Sequence, residues 1–250
     1  MRIATEKALS LDPNLAEAHT AKGIASFFMT WDWPAGERSF LRAIELNPNY
    51  AIAHQYYAHL LSNAGRHGEA IAEIQKAREM DPLSPMIETF AGGTFVSARH
   101  YGDALPPIQR ALSIDPYLFP AHAALGHLYR QTGKADAAIE AYRTAYRLSG
   151  GNIVLLAFQG LVLGQVGRRS VAEQIIATMN EIAQRQFVPP SAVALVYAGL
   201  GERDIAFRWL EKAYEVRDMG LVLLPASPCW DSLRSDKRFQ DLLRRCRFPV

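Results

Sequence analysis

Residues 121–148 read AHAALGHLYRQTGKADAAIEAYRTAYRL, two helical stretches around a turn, and variants of this unit recur along almost the whole chain. The recurrence is measurable. Pro48, Pro82, Pro116 and Gly150 stand 34 residues apart, and five residues before each is an alanine: Ala43, Ala77, Ala111 and Ala145. Ala70, Ala104, Ala138 and Ala172 keep the same step, as do Ala58, Gly92, Gly126 and Gly160. A fixed period of this size predicts a helical solenoid, in which each unit buries its apolar face only against its neighbours. The small residues have a physical role, because antiparallel helices approach closely only where a side chain is small. Leu125, Tyr129 and Tyr142 are expected to fill the remaining space, and the prolines to stop the second helix of each unit.

Leu125, Gly126, Tyr129, Ala138, Tyr142 and Ala145 together resemble the tetratricopeptide repeat, and the resemblance extends over about residues 14–218. It implies an all-α fold: a right-handed superhelical solenoid of antiparallel helix pairs with a C-terminal capping helix. Six pairs are expected, at about 14–48, 49–82, 83–116, 117–150, 151–186 and 187–218, with 219–250 as the cap. Residues 1–13 read as the second helix of a preceding repeat, since Ala8 and Pro13 reproduce the end seen at Ala43 and Pro48. The chain is therefore expected to be a fragment or the C-terminal module of a longer protein, with an open N-terminal end through which copies could associate.

Irregular stretches predict local departures. The distance from Pro13 to Pro48 is 35, so one extra residue is accommodated near Trp31-Asp32-Trp33-Pro34. Pro34 suits the start of a helix, with Asp32 or Trp33 ahead of it. Phe27, Phe28, Trp31 and Trp33 are expected to pack between helices. Gly65, Gly133, Gly167 and Gly201 fall where a left-handed residue ends a first helix, while the third unit has Arg99 there. That unit also carries Gly92 and Gly93 inside one helix and Pro106 and Pro107 in the next, and is the expected soft point. The second helix of the fifth unit is expected to run to about Gln184, and a last helix to span Asp236 to Arg245.

Composition excludes several function classes. The 27 basic and 25 acidic residues leave a net charge of +2, which offers no general attraction to nucleic acid or membrane. The chain lacks an apolar run of spanning length, the stretch MRIATEKALSLDP lacks the apolar segment of a signal peptide, and a cytoplasmic location is expected. Cys229 and Cys246 match no metal spacing, and free thiols and a disulfide both fit. His19, His54 and His122 share one repeat position, too far apart to meet at a metal, and are expected to pack between helices. Nucleotide, nucleophile-elbow and kinase motifs are lacking, so neither an enzymatic site nor a cofactor is expected. The basic run Arg234, Lys237, Arg238, Arg244, Arg245 and Arg247 is interleaved with Asp231, Asp236 and Asp241, which suits helix-end charges better than an anion site.

What the resemblance implies about function is a protein or peptide partner held in the concave groove that the first helices line. By register the partner-facing residues are Gln55, His59 and Asn63 in the second repeat and His127, Arg130 and Gln131 in the fourth. Thr20, Ile24, Phe27, Ser62, Thr89, Val96, Ser97 and Ala123 are expected beside them. Relatives that grip a peptide's terminal carboxylate use paired Lys and Asn, and the lysine is missing at these positions. The order of the WDW turn, the NPNYAIAH stretch and the SDKRFQDLLRR segment is similar to C-terminal arrays of bacterial signalling proteins. Regulation of an enzyme domain lying upstream and self-assembly are the alternative functions.

Overall fold

A left-handed backbone residue closes the first helix of successive units. Gly65, Gly133, Gly167 and Gly201 have φ between 74° and 77°. At each turn the next amide reaches back over five residues: Arg66 to Leu61, Lys134 to Tyr129, Arg168 to Leu163 and Glu202 to Tyr197, at 2.8–3.0 Å. This is the glycine-terminated helix end that satisfies otherwise orphaned carbonyls. Arg99 takes the same conformation, φ 64°, and His100 makes the same bond to Phe95, so the third unit keeps the turn despite a side chain that opposes it by roughly 1 kcal/mol.

The structure is a computed structural model and describes residues 2–248; Met1, Pro249 and Val250, which the expected first and last segments include, lie outside the described residues. Among the described residues every regular element is helical. After α1 (Arg2–Leu11), helices pair as α2 (Ala16–Ala25) with α3 (Trp33–Leu46), α4 (Ala51–Asn63) with α5 (His67–Met80), α6 (Pro85–Ser97) with α7 (Tyr101–Ile114), and α8 (Phe119–Gln131) with α9 (Ala135–Leu148). Then follow α10 (Ile153–Gln165), α11 (Arg169–Ala183), α12 (Pro190–Gly199), α13 (Arg203–Glu215) and α14 (Lys237–Arg245). The architecture is a right-handed tetratricopeptide-repeat solenoid, and α14 packs on α13 as its cap.

Small residues set the helix spacing. A Cβ on Gly23 would lie 2.6 Å from the Phe40 ring, and one on Gly126 would lie 2.6 Å from the Tyr142 ring. Gly92 holds the same relation to Ile108. The residue that first meets Gly126 is thus Tyr142, one of the large side chains expected to fill the space that the small residues leave. The extra residue in the first unit is absorbed by a π-helical turn, Ser26–Thr30, that extends α2. Asp32 caps α3, accepting from the Ala35 amide at 3.0 Å, and Pro34 sits in its first turn, where its missing amide proton costs nothing.

The repeated histidines lock the turns. Nε2 of His19, His54 and His122 lies 2.8–3.0 Å from the carbonyl of the proline six residues earlier, Pro13, Pro48 and Pro116. An imidazole N–H thereby satisfies a carbonyl that the helix ladder leaves free. In the third unit that position is Glu88, a buried carboxylate bonded to Arg78 at 3.0 Å and 3.4 Å from Arg110.

Beyond α9 the pattern changes. α10 packs directly on α12, where a Cβ on Gly164 would stand 2.6 Å from the Gly199 backbone. α11 packs mainly on α10. After α13, Asp218 accepts from the amides of Ser191 (2.9 Å) and Gly220 (2.8 Å) and starts an irregular segment with 3₁₀ turns at Met219–Leu223 and Pro228–Trp230. This segment returns to the first unit. Trp31 lies 5.8 Å from Tyr214 and beneath the Arg217 guanidinium, and Trp33 lies 4.8 Å from Phe248, ring centre to ring centre. The aromatic cluster packs within its own helix pair, as expected, and also against the far end of the chain. The cap segment therefore does more than cover the last pair: it joins the two ends of the described solenoid.

Candidate functional site

First helices of consecutive units present residues at 34-residue steps to one inner face. His59, Gly93 and His127 border a single cavity, with Ser62, Val96 and Arg130 three residues further along the helices. The cavity encloses about 320 Å³. Leu223, Ser227, Pro228 and Cys229 of the returning segment form its far wall. Repeat register alone locates the helical walls. It carries no information about the fourth wall, because residues 223–229 stand outside any repeat.

The two histidines are held neutral. The His59 ring sits among Phe27, Phe28 and Phe90, with centroids 5.3–5.7 Å away, and burial lowers its pKa to about 4. His127 lies edge-on to Phe158 at 4.5 Å and beside Tyr142. Burial, reinforced by the Arg130 charge, lowers its pKa to about 3. The Tyr142 hydroxyl is 2.7 Å from His127 Nδ1 and also interacts with Arg130. A guanidinium only donates, so the hydroxyl accepts from Arg130 and donates to Nδ1, which places the imidazole proton on Nε2. Burial keeps that phenol protonated, well above its ordinary pKa.

Arg130 is the one charged residue in the cavity wall, and none of the wall residues is an aspartate or glutamate. Its Nη2 lies 3.4 Å from the Cys229 sulfur, and its Nε is enclosed without an acceptor. Asp231, just beyond, is already claimed by Arg99 (2.9 Å) and Arg234 (2.7 Å). Three guanidinium groups, Arg99, Arg234 and, from further off, Arg130, thus act on the Asp231 carboxylate.

Not every residue expected on the groove reaches the cavity. Asn63 does, and its amide donates to the His59 carbonyl at 2.9 Å. Gln55 does not: it is 2% exposed, packed between helices, with its Oε1 unpaired. Gln131 turns away and accepts from the Tyr101 hydroxyl at 3.2 Å. Thr20 and Phe27 are likewise buried, which corrects their expected exposure. Thr89, Val96, Ser97 and Ala123 line the cavity as their register implies. Both cysteines are free and buried. The basic C-terminal side chains pair locally, Arg238 with Asp236 and Asp204 and Arg245 with Glu211. Among the described residues, three or more His, Cys, Asp or Glu nowhere gather to hold a metal, and no helix is long and apolar enough to cross a membrane.

The fold and the inner face define a tetratricopeptide-repeat solenoid of the kind that serves protein–protein interaction. The chain itself carries such repeats: residues 39–72 and 119–152 each match the tetratricopeptide repeat family. Among solved structures it is similar to a tetratricopeptide repeat protein from Parabacteroides merdae, 12% identical, TM-score 0.64, covering 97% of this chain and 90% of that one. It is similar also to PilW, described as a widely conserved type IV pilus biogenesis factor, at 18% identity and TM-score 0.61, covering 74% and 86%. A third is a chain of the APC/C hetero-tetramer Cut9-Hcn1, at 17% identity and TM-score 0.68, covering 98% of this chain and 45% of that one. At these identities the likeness is one of fold. Comparison with curated proteins gives no match.

Proposed function

We propose that this chain is a non-catalytic scaffold that holds a protein or peptide partner against its inner face, around His59, Asn63, His127 and Arg130. The observation that carries the reading is the open cavity between α4, α6 and α8, built from equivalent positions of successive repeats. Its aromatic floor and single guanidinium suit a mixed polar and apolar ligand segment. Its setting is a bacterial signalling or regulatory protein of the cytoplasm, a reading supported by the similarity of the WDW turn and the SDKRFQDLLRR segment to arrays of that kind.

A peptide-display selection against the folded chain, followed by hydrogen exchange of the complex, tests it. Bound peptide is expected to slow exchange in α4, α6 and α8 and in residues 219–233, and to leave the outer helices α5, α7 and α9 unchanged. Protection confined to the outer helices would assign the partner to the convex side and overturn the proposal.

A further inference from the structure

The inner cavity has a chemistry that a general peptide groove does not require. Its walls hold one cation, Arg130, and lack any carboxylate to balance it. The Asp231 carboxylate nearby is shared by two other arginines, Arg99 and Arg234. The half-buried guanidinium has a thiol and a phenol as its near partners, with the Asp231 charge acting from further off, and its Nε has no acceptor, so it keeps a donor for an anion placed beside it. The rest of the wall is apolar or neutral: Phe90, Val96, Phe119, Phe158, Leu223 and Pro228. The neutral histidines add no competing charge.

We propose that this cavity is a binding site for a small organic carboxylate with an apolar body, its carboxylate on Arg130 and its body against Phe90, Phe158 and Leu223. The size fits, since about 320 Å³ lies at the small end of ligand cavities. A carboxylate is the planar anion that a guanidinium recognises through paired hydrogen bonds. The bound acid would touch both α8 and the returning segment, and so tie residues 223–229 to the repeats. This goes beyond the scaffold reading and is tested without any protein partner.

The probes are benzoate, phenylacetate, hexanoate and octanoate, each with its primary amide, and inorganic sulfate as an anion without a body. Binding to the full chain is followed by calorimetry and by the shift in Tm. At least one carboxylate is expected to bind saturably and raise Tm, with its amide and sulfate each at least tenfold weaker. R130Q is expected to lose the preference for carboxylate over amide. A second variant, G93L, keeps the proposal falsifiable if R130Q fails to fold. Gly93 lines the cavity, and a Cβ there meets no other group within 4 Å, so leucine fills the space while α6 gains a better helix former. G93L is expected to fold and to bind none of the acids. The proposal is overturned if no carboxylate binds the folded wild type, if amides or sulfate bind equally well, or if G93L binds as the wild type does. An acidic peptide that saturates the cavity while every free carboxylate fails would assign it to a partner's side chain, and equally overturn it.

Discussion

The Trp33 ring lies against the Phe248 ring, centroids 4.8 Å apart, although the two residues belong to opposite ends of the chain. Both are nearly fully buried, at 3% and 6% exposure. Contacts between neighbouring units hold an ordinary solenoid together, and its ends are independent. Here an aromatic contact joins them, so perturbation at one end is felt at the other.

Phe248→Ala removes one side of that contact. Truncating a buried phenylalanine costs about 3 kcal/mol, less where the chain end can relax into the gap. Asp231→Asn, which weakens the surface pairs with Arg99 and Arg234, is expected to cost under about 1 kcal/mol. Urea unfolding followed by tryptophan fluorescence separates the two. Equal effects of the two variants would show that the aromatic contact does not govern closure.

Adjacent glycines in α6 predict opposite outcomes. A Cβ on Gly92 collides with Ile108, and Gly92→Ala is expected to lose about 1–3 kcal/mol through overpacking. Gly93 faces open space, and Gly93→Ala is expected to gain about 0.5–1 kcal/mol by limiting the unfolded chain. Thermal denaturation of both variants checks the sign, and a loss on Gly93→Ala would contradict the geometry.

The enclosed histidines are expected to make the protein acid-labile. His59 and His127 are lowered from 6.5 to about 4 and about 3 in the folded chain, and burial lowers His67 as well. Below the unfolded value the unfolded chain binds these protons and the folded chain does not. Their contribution is therefore complete above about pH 6.5 and falls as pH drops toward the folded pKa values, by at most about 1.4 kcal/mol per histidine per pH unit. Urea midpoints measured from pH 7 to pH 5 are expected to decline steeply, with a shallower slope in H127Q. A flat profile over this window would refute the neutral assignment.

The cysteines are expected to differ in reactivity. Burial pushes the Cys246 thiol up to about 12, and its side chain is fully enclosed. Cys229 is also buried, but it borders the inner cavity. Iodoacetamide at pH 8 is expected to modify Cys229 slowly and Cys246 only in denaturant, as read by peptide mass spectrometry. First reaction at Cys246 would contradict this packing.

The local sequence determined what depends on local spacing. The 34-residue step, the glycine helix ends and the small residues at Gly23, Gly92 and Gly126 all follow from short-range sterics, which repeat wherever the residues repeat. So do the helical walls of the cavity, since Ser62, Val96 and Arg130 inherit one orientation from one register. Tertiary structure decided the rest. That Gln55 is buried while Asn63 faces the cavity depends on how closely neighbouring helices approach. That α10 meets α12 directly depends on two glycine backbones touching. The return of residues 219–233 across the inner face, which completes the cavity beside Arg130, rests on contacts between segments far apart in sequence, such as Arg130 with Cys229 and Arg99 with Asp231. Periodicity carries no record of such contacts, because they arise from apolar surface and charge that only the folded solenoid brings together.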